Sequence, residues 1–189
     1  MSDIRARLDK ILRTIQAPNF LDNKGLGNEI GFYIFDYDPR DELLVREHLA
    51  YLKSVLNSET SNRKVVEFDL FEMMLAMLAG EGVLADLPAL ENEQGSKYIF
   101  EALRDMASPE AYVKLIAERS AGCDIVFITG VGKVWPIVRS HNILNNLHPI
   151  LDRVPVIMFF PGSYDGAELR LFNKLKDDNY YRAFRLIEK

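Results

Sequence analysis

Two spacings of hydrophobic residues recur along the chain, and each predicts a different kind of secondary structure. Short continuous runs rich in Val, Ile and Phe lack the alternation of a strand with one solvent face, so they predict buried strands. Such runs occur over residues 32–35, 64–70, 125–128 and 155–160. A final strand is predicted over residues 182–187.

Apolar residues three or four positions apart predict amphipathic helices between these strands. In the helix that opens at Asp38-Pro39, Val45, Leu49, Leu52 and Leu56 form a single stripe. Helical spacing and start or stop signals also predict helices over residues 3–16, 70–78, 97–106, 109–120 and 136–147, and a short helix over 167–175. Residues 80–96 follow neither spacing, and we interpret them as a long excursion from the fold.

The order of these elements predicts the fold class. Strands joined by helices favour parallel pairing with right-handed crossovers, and a chain of 189 residues suits one domain. We therefore predict a single α/β domain over residues 1–189, a three-layer sandwich with a mainly parallel sheet of about five strands flanked by helices. The loops after Asp36, Asp69, Thr129 and Pro161 would meet at the carboxyl edge of that sheet, where ligand sites usually lie.

Composition and charge narrow the possible functions. The net charge of -5 and the lack of any Lys/Arg run give no reason to expect direct DNA binding. The single cysteine, Cys123, excludes an intramolecular disulfide, and the N-terminus lacks the apolar core of a signal peptide, so we predict a cytoplasmic protein. No apolar stretch is long enough to span a membrane. His141 and His148 are about 10.5 Å apart along a helix, too far to share one zinc ion, and no cofactor is predicted.

Asp36-Tyr-Asp38 follows an apolar strand, as the paired aspartates of haloacid dehalogenase-like phosphatases do. In those enzymes the first aspartate attacks phosphorus and magnesium lies between carboxylates. The turn ending in Lys133 lacks both the spacing and the hydroxyl residue of a phosphate-binding P-loop. Asp36, Thr129 and Lys133 nevertheless form a candidate pocket for a phosphatase-like or degenerate nucleotide-binding enzyme. Asp38 and Asp69 themselves precede predicted helices, and we expect them to be N-caps.

A different set of residues suggests a surface for another protein. Trp135, Arg139, Tyr164 and Arg182 are large or planar side chains placed on turns and at the ends of elements. Such side chains commonly anchor interfaces, although an aromatic residue can equally belong to the core. The net negative charge favours a protein partner with a basic surface. An accessible Asp36 beside Thr129 would favour an enzyme, whereas an exposed aromatic and apolar patch would favour an interaction protein.

The chain resembles the BrxB family, small proteins of bacterial BREX phage-defence systems. The likeness lies in residues 32–40, 126–148 and 156–184, and is carried by the pieces Gly-Lys-Val-Trp-Pro, Phe-Phe-Pro-Gly and Asn-Tyr-Tyr-Arg-Ala-Phe. The resemblance implies a component of a system that also contains an ATPase (BrxC), an alkaline-phosphatase-like protein (PglZ) and a methyltransferase (PglX). It supplies no catalytic residues.

We therefore expect a non-catalytic adaptor or scaffold that binds PglZ-like, BrxC-like or PglX-like proteins. Self-association of the chain stays open at this point. The alternative is an enzyme that uses Asp36 near Thr129.

Overall fold

The computed structural model describes residues 4–21, 31–61, 63–151, 154–176 and 183–188. The strands in chain order are β1 (Phe32–Tyr37), β2 (Val65–Asp69), β3 (Ile125–Thr129), β4 (Val156–Tyr164), β5 (Leu169–Leu171), β6 (Leu175–Lys176) and β7 (Phe184–Arg185). The helices are α1 (Ile4–Gln16), α2 (Pro18–Leu21), α3 (Glu42–Leu56), α4 (Leu70–Gly80), α5 (Leu87–Gln94), α6 (Ser96–Met106), α7 (Pro109–Arg119), α8 (Val131–Val134) and α9 (Ser140–Leu147).

The centre of the fold is a parallel sheet with the strand order β2-β3-β4-β1-β7. Strands β5 and β6 extend it as an antiparallel hairpin that pairs with the far end of β4. Helices flank the sheet, so the predicted α/β fold with a mainly parallel sheet is confirmed. Among the helices that the structure describes, none has both the length and the hydropathy needed to cross a membrane.

Both faces of the sheet are covered, which explains the continuous apolar runs of its strands. Val126 and Ile128 of β3 pack with α4, α7 and α9, whereas Ile125 and Phe127 pack with α1 and α3. All four side chains are fully buried. A strand with helices on both faces has no side that needs to be polar.

The predicted excursion at residues 80–96 is wrong, because it contains α5 (Leu87–Gln94). Pro88 lies in the first turn of this helix, where a missing N–H removes no hydrogen bond, and Gly95 ends the helix with a φ of 84°. No residue of α5 is buried. The apolar stripe on which the prediction depends is therefore absent.

The short helix predicted over residues 167–175 is also wrong. Leu169 and Leu171 are buried while Arg170 between them is exposed, which is the two-residue period of a strand. Strand β4 continues past its predicted end at residue 160, and its Gly162 is the register partner of Leu171. The chain reverses at Phe172 and Asn173, which both have positive φ angles, and returns as β6.

The helix predicted over residues 136–147 begins later, as α9 (Ser140–Leu147). Trp135 precedes a proline and has the extended conformation that this position favours, so it ends α8. The predicted last strand over residues 182–187 is confirmed only at Phe184–Arg185. Ala183 before it is irregular and Leu186 and Ile187 after it form a bend, while residue 182 lies outside the described ranges.

The two predicted helix caps are confirmed. Asp38 accepts a hydrogen bond from the backbone N–H of Arg40 at the start of the 3-10 turn Pro39–Asp41, which leads into α3. The guanidinium of Arg40 also donates to this carboxylate and lowers the pKa of Asp38 to about 2. Asp69 accepts from the N–H groups of Phe71 and Glu72 at the start of α4.

Candidate functional site

Asp36 lies near the carboxyl end of β1, where its side chain is fully buried among donors from other elements. Arg7 of α1 donates to the Asp36 Oδ1 over 2.9 Å and to the Asp36 carbonyl over 2.7 Å. The backbone N–H of Tyr164 donates to Oδ2 over 3.0 Å, and Arg185 Nη1 lies 3.4 Å from both carboxylate oxygens. The Asp36 carboxylate therefore links three elements: helix α1, strand β7 and the last residue of strand β4.

The structure does not assemble the predicted pocket of Asp36, Thr129 and Lys133. Asp36 has no exposed surface, and no hydrogen bond or ion pair between described residues joins it to Thr129 or Lys133. A nucleophilic carboxylate must reach the substrate, whereas both oxygens of Asp36 already accept bonds from the protein. The geometry gives Asp36 a structural role.

Thr129 and Lys133 instead border a polar cleft of about 190 Å³ between α3 and the carboxyl ends of β1, β2 and β3. Asp69 and Thr129 are register partners in neighbouring parallel strands, which brings them to the same edge. Thr129 donates to Glu67 over 2.7 Å, and Lys133 pairs with Asp69. The sequence had placed Asp69 at this edge, but it gave no sign of Glu67.

The other charged side chains of this polar cleft also pair within it. Lys53 pairs with Glu67, and Glu42 accepts hydrogen bonds from the Tyr37 hydroxyl over 2.6 Å and from Arg46 over 2.8 Å. Burial and the bond to Glu42 raise the pKa of the Tyr37 phenol. Each of the three carboxylates in the cleft is thus paired with a cation of the protein. Little unbalanced charge remains to attract a charged ligand. No cluster of three or more potential metal ligands occurs within the described ranges.

Two substitutions of Asp69 can separate its role as the N-cap of α4 from its ion pair with Lys133. An Asp69→Ala variant is expected to lose about 1 kcal/mol of unfolding free energy, because α4 loses the acceptor for its first N–H groups. An Asp69→Asn variant keeps an oxygen that can accept these bonds and removes only the charge that faces Lys133, so its loss should be clearly smaller. Urea unfolding measures both. Equal losses would show that the ion pair, and not the cap, is the contribution of Asp69.

Trp135 and Arg139 lie on the segment between α8 and α9, which forms a ridge with a cleft on each side. The first, here called the tryptophan cleft, has a volume of about 280 Å³ and lies between this segment and the β5–β6 hairpin. The second, of about 370 Å³, extends towards Phe100 and Arg104 of α6. The residues that line the tryptophan cleft are Val131, Trp135, Val138, Arg139, Ser140, Phe160, Leu169, Leu171, Lys174, Leu175 and Lys176.

The four predicted interaction residues do not form one surface. Trp135 is 41% exposed and stands beside the exposed Arg139, so the structure brings these two together outside the core. Tyr164 is only 1% exposed, and its hydroxyl donates to the carbonyls of Gly166 and Ala183. A side chain buried in the core in this way is not available to contact a partner protein. Arg182 lies outside the described residues.

Comparisons with known proteins agree with one another. The model of the family described as "BREX protein BrxB" matches residues 66–186. A BREX protein BrxB from Bacillus cereus (strain H3081.97) is 53% identical to this chain over the full length of both. A BREX protein BrxB from Escherichia coli O9:H4 (strain HS) is 36% identical, over 96% of this chain and 90% of that protein. No solved structure gives a significant match.

Proposed function

The chain belongs to the BrxB family, and from this premise we propose that it is a non-catalytic adaptor in a BREX phage-defence system. It binds other BREX proteins, of the PglZ-like, BrxC-like or PglX-like kind, through the surface around Trp135 and Arg139. The observation that carries the proposal is the exposure of this indole at the tryptophan cleft, next to an exposed arginine that lines both clefts. Trp and Arg are the side chains that most often dominate interfaces.

Two further observations support an adaptor over an enzyme. The carboxylate with the sequence context of a nucleophile, Asp36, is enclosed by protein donors. The charged groups of the polar cleft, including Asp69 and Lys133, pair with one another. Enzyme sites usually combine an accessible titratable group that is free to act with a pocket. Asp36 is not accessible, and the accessible charged groups of the polar cleft are each held by a protein partner.

The test is co-purification from cells that carry the complete BREX system and a tagged copy of this chain. A Trp135→Ala/Arg139→Glu variant is expected to lose its co-purifying BREX proteins and to lose phage defence, while its thermal midpoint stays near that of the wild type. Truncating a central aromatic anchor and reversing a neighbouring charge typically removes about 2 kcal/mol or more of binding energy, roughly a thirtyfold loss of affinity.

A Lys97→Glu/Tyr98→Ala variant is the matched control. It changes an adjacent cation and aromatic residue on α6, where the Tyr98 side chain is 50% exposed and the Lys97 side chain 90% exposed. This control should keep its co-purifying BREX proteins and should also keep phage defence. If the Trp135→Ala/Arg139→Glu variant also keeps them, or loses them only because it unfolds, then the proposed surface is wrong.

A further inference from the structure

The tryptophan cleft has an apolar interior and exposed apolar side chains at its mouth. Val138, Phe160 and Leu171 are buried in its interior, while Trp135 is 41% and Leu175 36% exposed. Leu175 is the register partner of Leu171 in the β5–β6 hairpin, so both leucines lie on the same face. Exposed apolar surface around an apolar recess is stabilised when a partner side chain removes it from water.

Among the described residues, the charged side chains at the rim of this cleft are all positive. Arg139 and Lys174 are exposed, and neither forms an ion pair with another residue that the structure describes. Lys176 pairs with Glu168 over 3.0 Å. No Asp or Glu within the described ranges lines the cleft, although the chain as a whole has a net charge of -5. The local charge therefore favours an acidic partner, in contrast to the basic partner that the net charge predicts.

We propose that the tryptophan cleft binds an acidic peptide segment of a partner protein, with one large apolar side chain of that segment inserted between Trp135 and Leu175. Carboxylates on either side of the inserted residue pair with Arg139 and Lys174. The inference rests on the proposed function, since it specifies the chemistry of the partner at the same surface. The volume of about 280 Å³ is slightly below the roughly 300–1,000 Å³ of small-molecule pockets, which suits an anchoring side chain.

Single-stranded nucleic acid is also negatively charged, but it fits this cleft less well. Nucleic-acid sites stack successive bases on several aromatic faces along an extended basic groove. Trp135 is the exposed aromatic residue among those that line the cleft, and Phe160 is buried in its floor. The remaining apolar lining is aliphatic, which suits insertion of a Leu, Ile or Phe side chain.

The test uses short random peptides displayed on cells and selected for binding to the full chain alone, so that an Arg139→Glu/Lys174→Glu variant stays an independent measurement. The enriched peptides are expected to combine Asp or Glu with at least one large apolar residue. Their affinity, measured by fluorescence anisotropy, should fall about tenfold or more in a Trp135→Ala variant and in the charge-reversal variant. The Lys97→Glu/Tyr98→Ala control should bind as the wild type does.

Several outcomes would overturn the inference. These are enrichment of basic or uncharged peptides, no enrichment at all, or binding that survives in both folded cleft variants. A single-stranded DNA oligonucleotide that binds through Trp135 and Arg139 would show that the ligand class is wrong. Co-purification of BREX proteins is measured separately. If the cleft variants lose those proteins while acidic peptides fail to bind, the result supports the adaptor function and contradicts the proposal that the cleft binds an acidic peptide.

Discussion

An Asp36→Ala variant is expected to unfold with a free energy about 3–5 kcal/mol below that of the wild type, the range for removing one partner from a buried ion pair. The substitution leaves the guanidinium groups of Arg7 and Arg185 without the carboxylate they share. The Arg7 side chain is 6% exposed and lies over the Phe35 ring at 4.7 Å, so it cannot regain water without moving α1. Urea unfolding followed by circular dichroism measures the loss.

A double-mutant cycle separates this ion pair from lost packing. The Arg7→Ala/Asp36→Ala variant should lose less stability than the sum of the single variants, because neither charge is then buried alone. Asp9→Ala removes an exposed carboxylate from the same helix as Arg7 and should change stability by no more than about 0.5 kcal/mol. A loss from Asp36→Ala as small as that of this control would show that the cluster does not hold the fold together.

The parallel sheet could be predicted because its strands are buried on both faces. Residues 125–128 and the first half of Val156–Tyr164 are unbroken apolar runs. In a chain that alternates strands with helices, such short runs are typical of central parallel strands. Helix α5 and the β5–β6 hairpin were missed for opposite reasons. The helix buries no residue and so has no stripe, while the hairpin strands are too short to show more than one alternation.

The candidate sites were predictable only where neighbouring strand ends determine them. Asp69 and Thr129 end adjacent parallel strands, so the topology alone brings them together. The side chains that pair with the Asp36 carboxylate are Arg7 and Arg185, which lie 29 and 149 residues away along the chain. No local pattern encodes such a contact, and the sequence alone therefore left a catalytic role for Asp36 open as the alternative.

The tryptophan cleft shows the same limit on sequence-based prediction. Trp135 and Arg139 are close in sequence and could be chosen as a pair, but the opposite wall comes from Lys174 and Leu175 of a hairpin that was predicted to be a helix. Because this hairpin was predicted to be a helix, the sequence did not show that Lys174 lies near Arg139. The net charge of the chain suggested a basic partner, whereas the partner proposed for the cleft is acidic.

A Gly162→Ala variant is expected to lose about 1–3 kcal/mol of stability, the usual cost of forcing extra atoms into a packed site. A Cβ at this position would overlap the backbone carbonyl of Arg170 and lie 2.9 Å from the Phe160 ring. The overlapped atom belongs to the backbone of β5, so relief requires β4 and β5 to separate. Because Leu169 and Leu171 of β5 line the tryptophan cleft, the same variant should also weaken co-purification of BREX partners.

Hydrogen exchange can locate this damage within the fold. Amides of β5 should lose protection in the Gly162→Ala variant, while those of β3, in the centre of the parallel sheet, keep it. The matched control is Gly80→Ala at the end of α4, where an added Cβ meets no atom within 4 Å and alanine favours the helix. That control should be as stable as the wild type or slightly more stable, with its partners retained. If Gly162→Ala keeps its partners although β5 loses protection, the hairpin is not part of the binding surface, and the wall formed by Trp135 and Arg139 must bind alone.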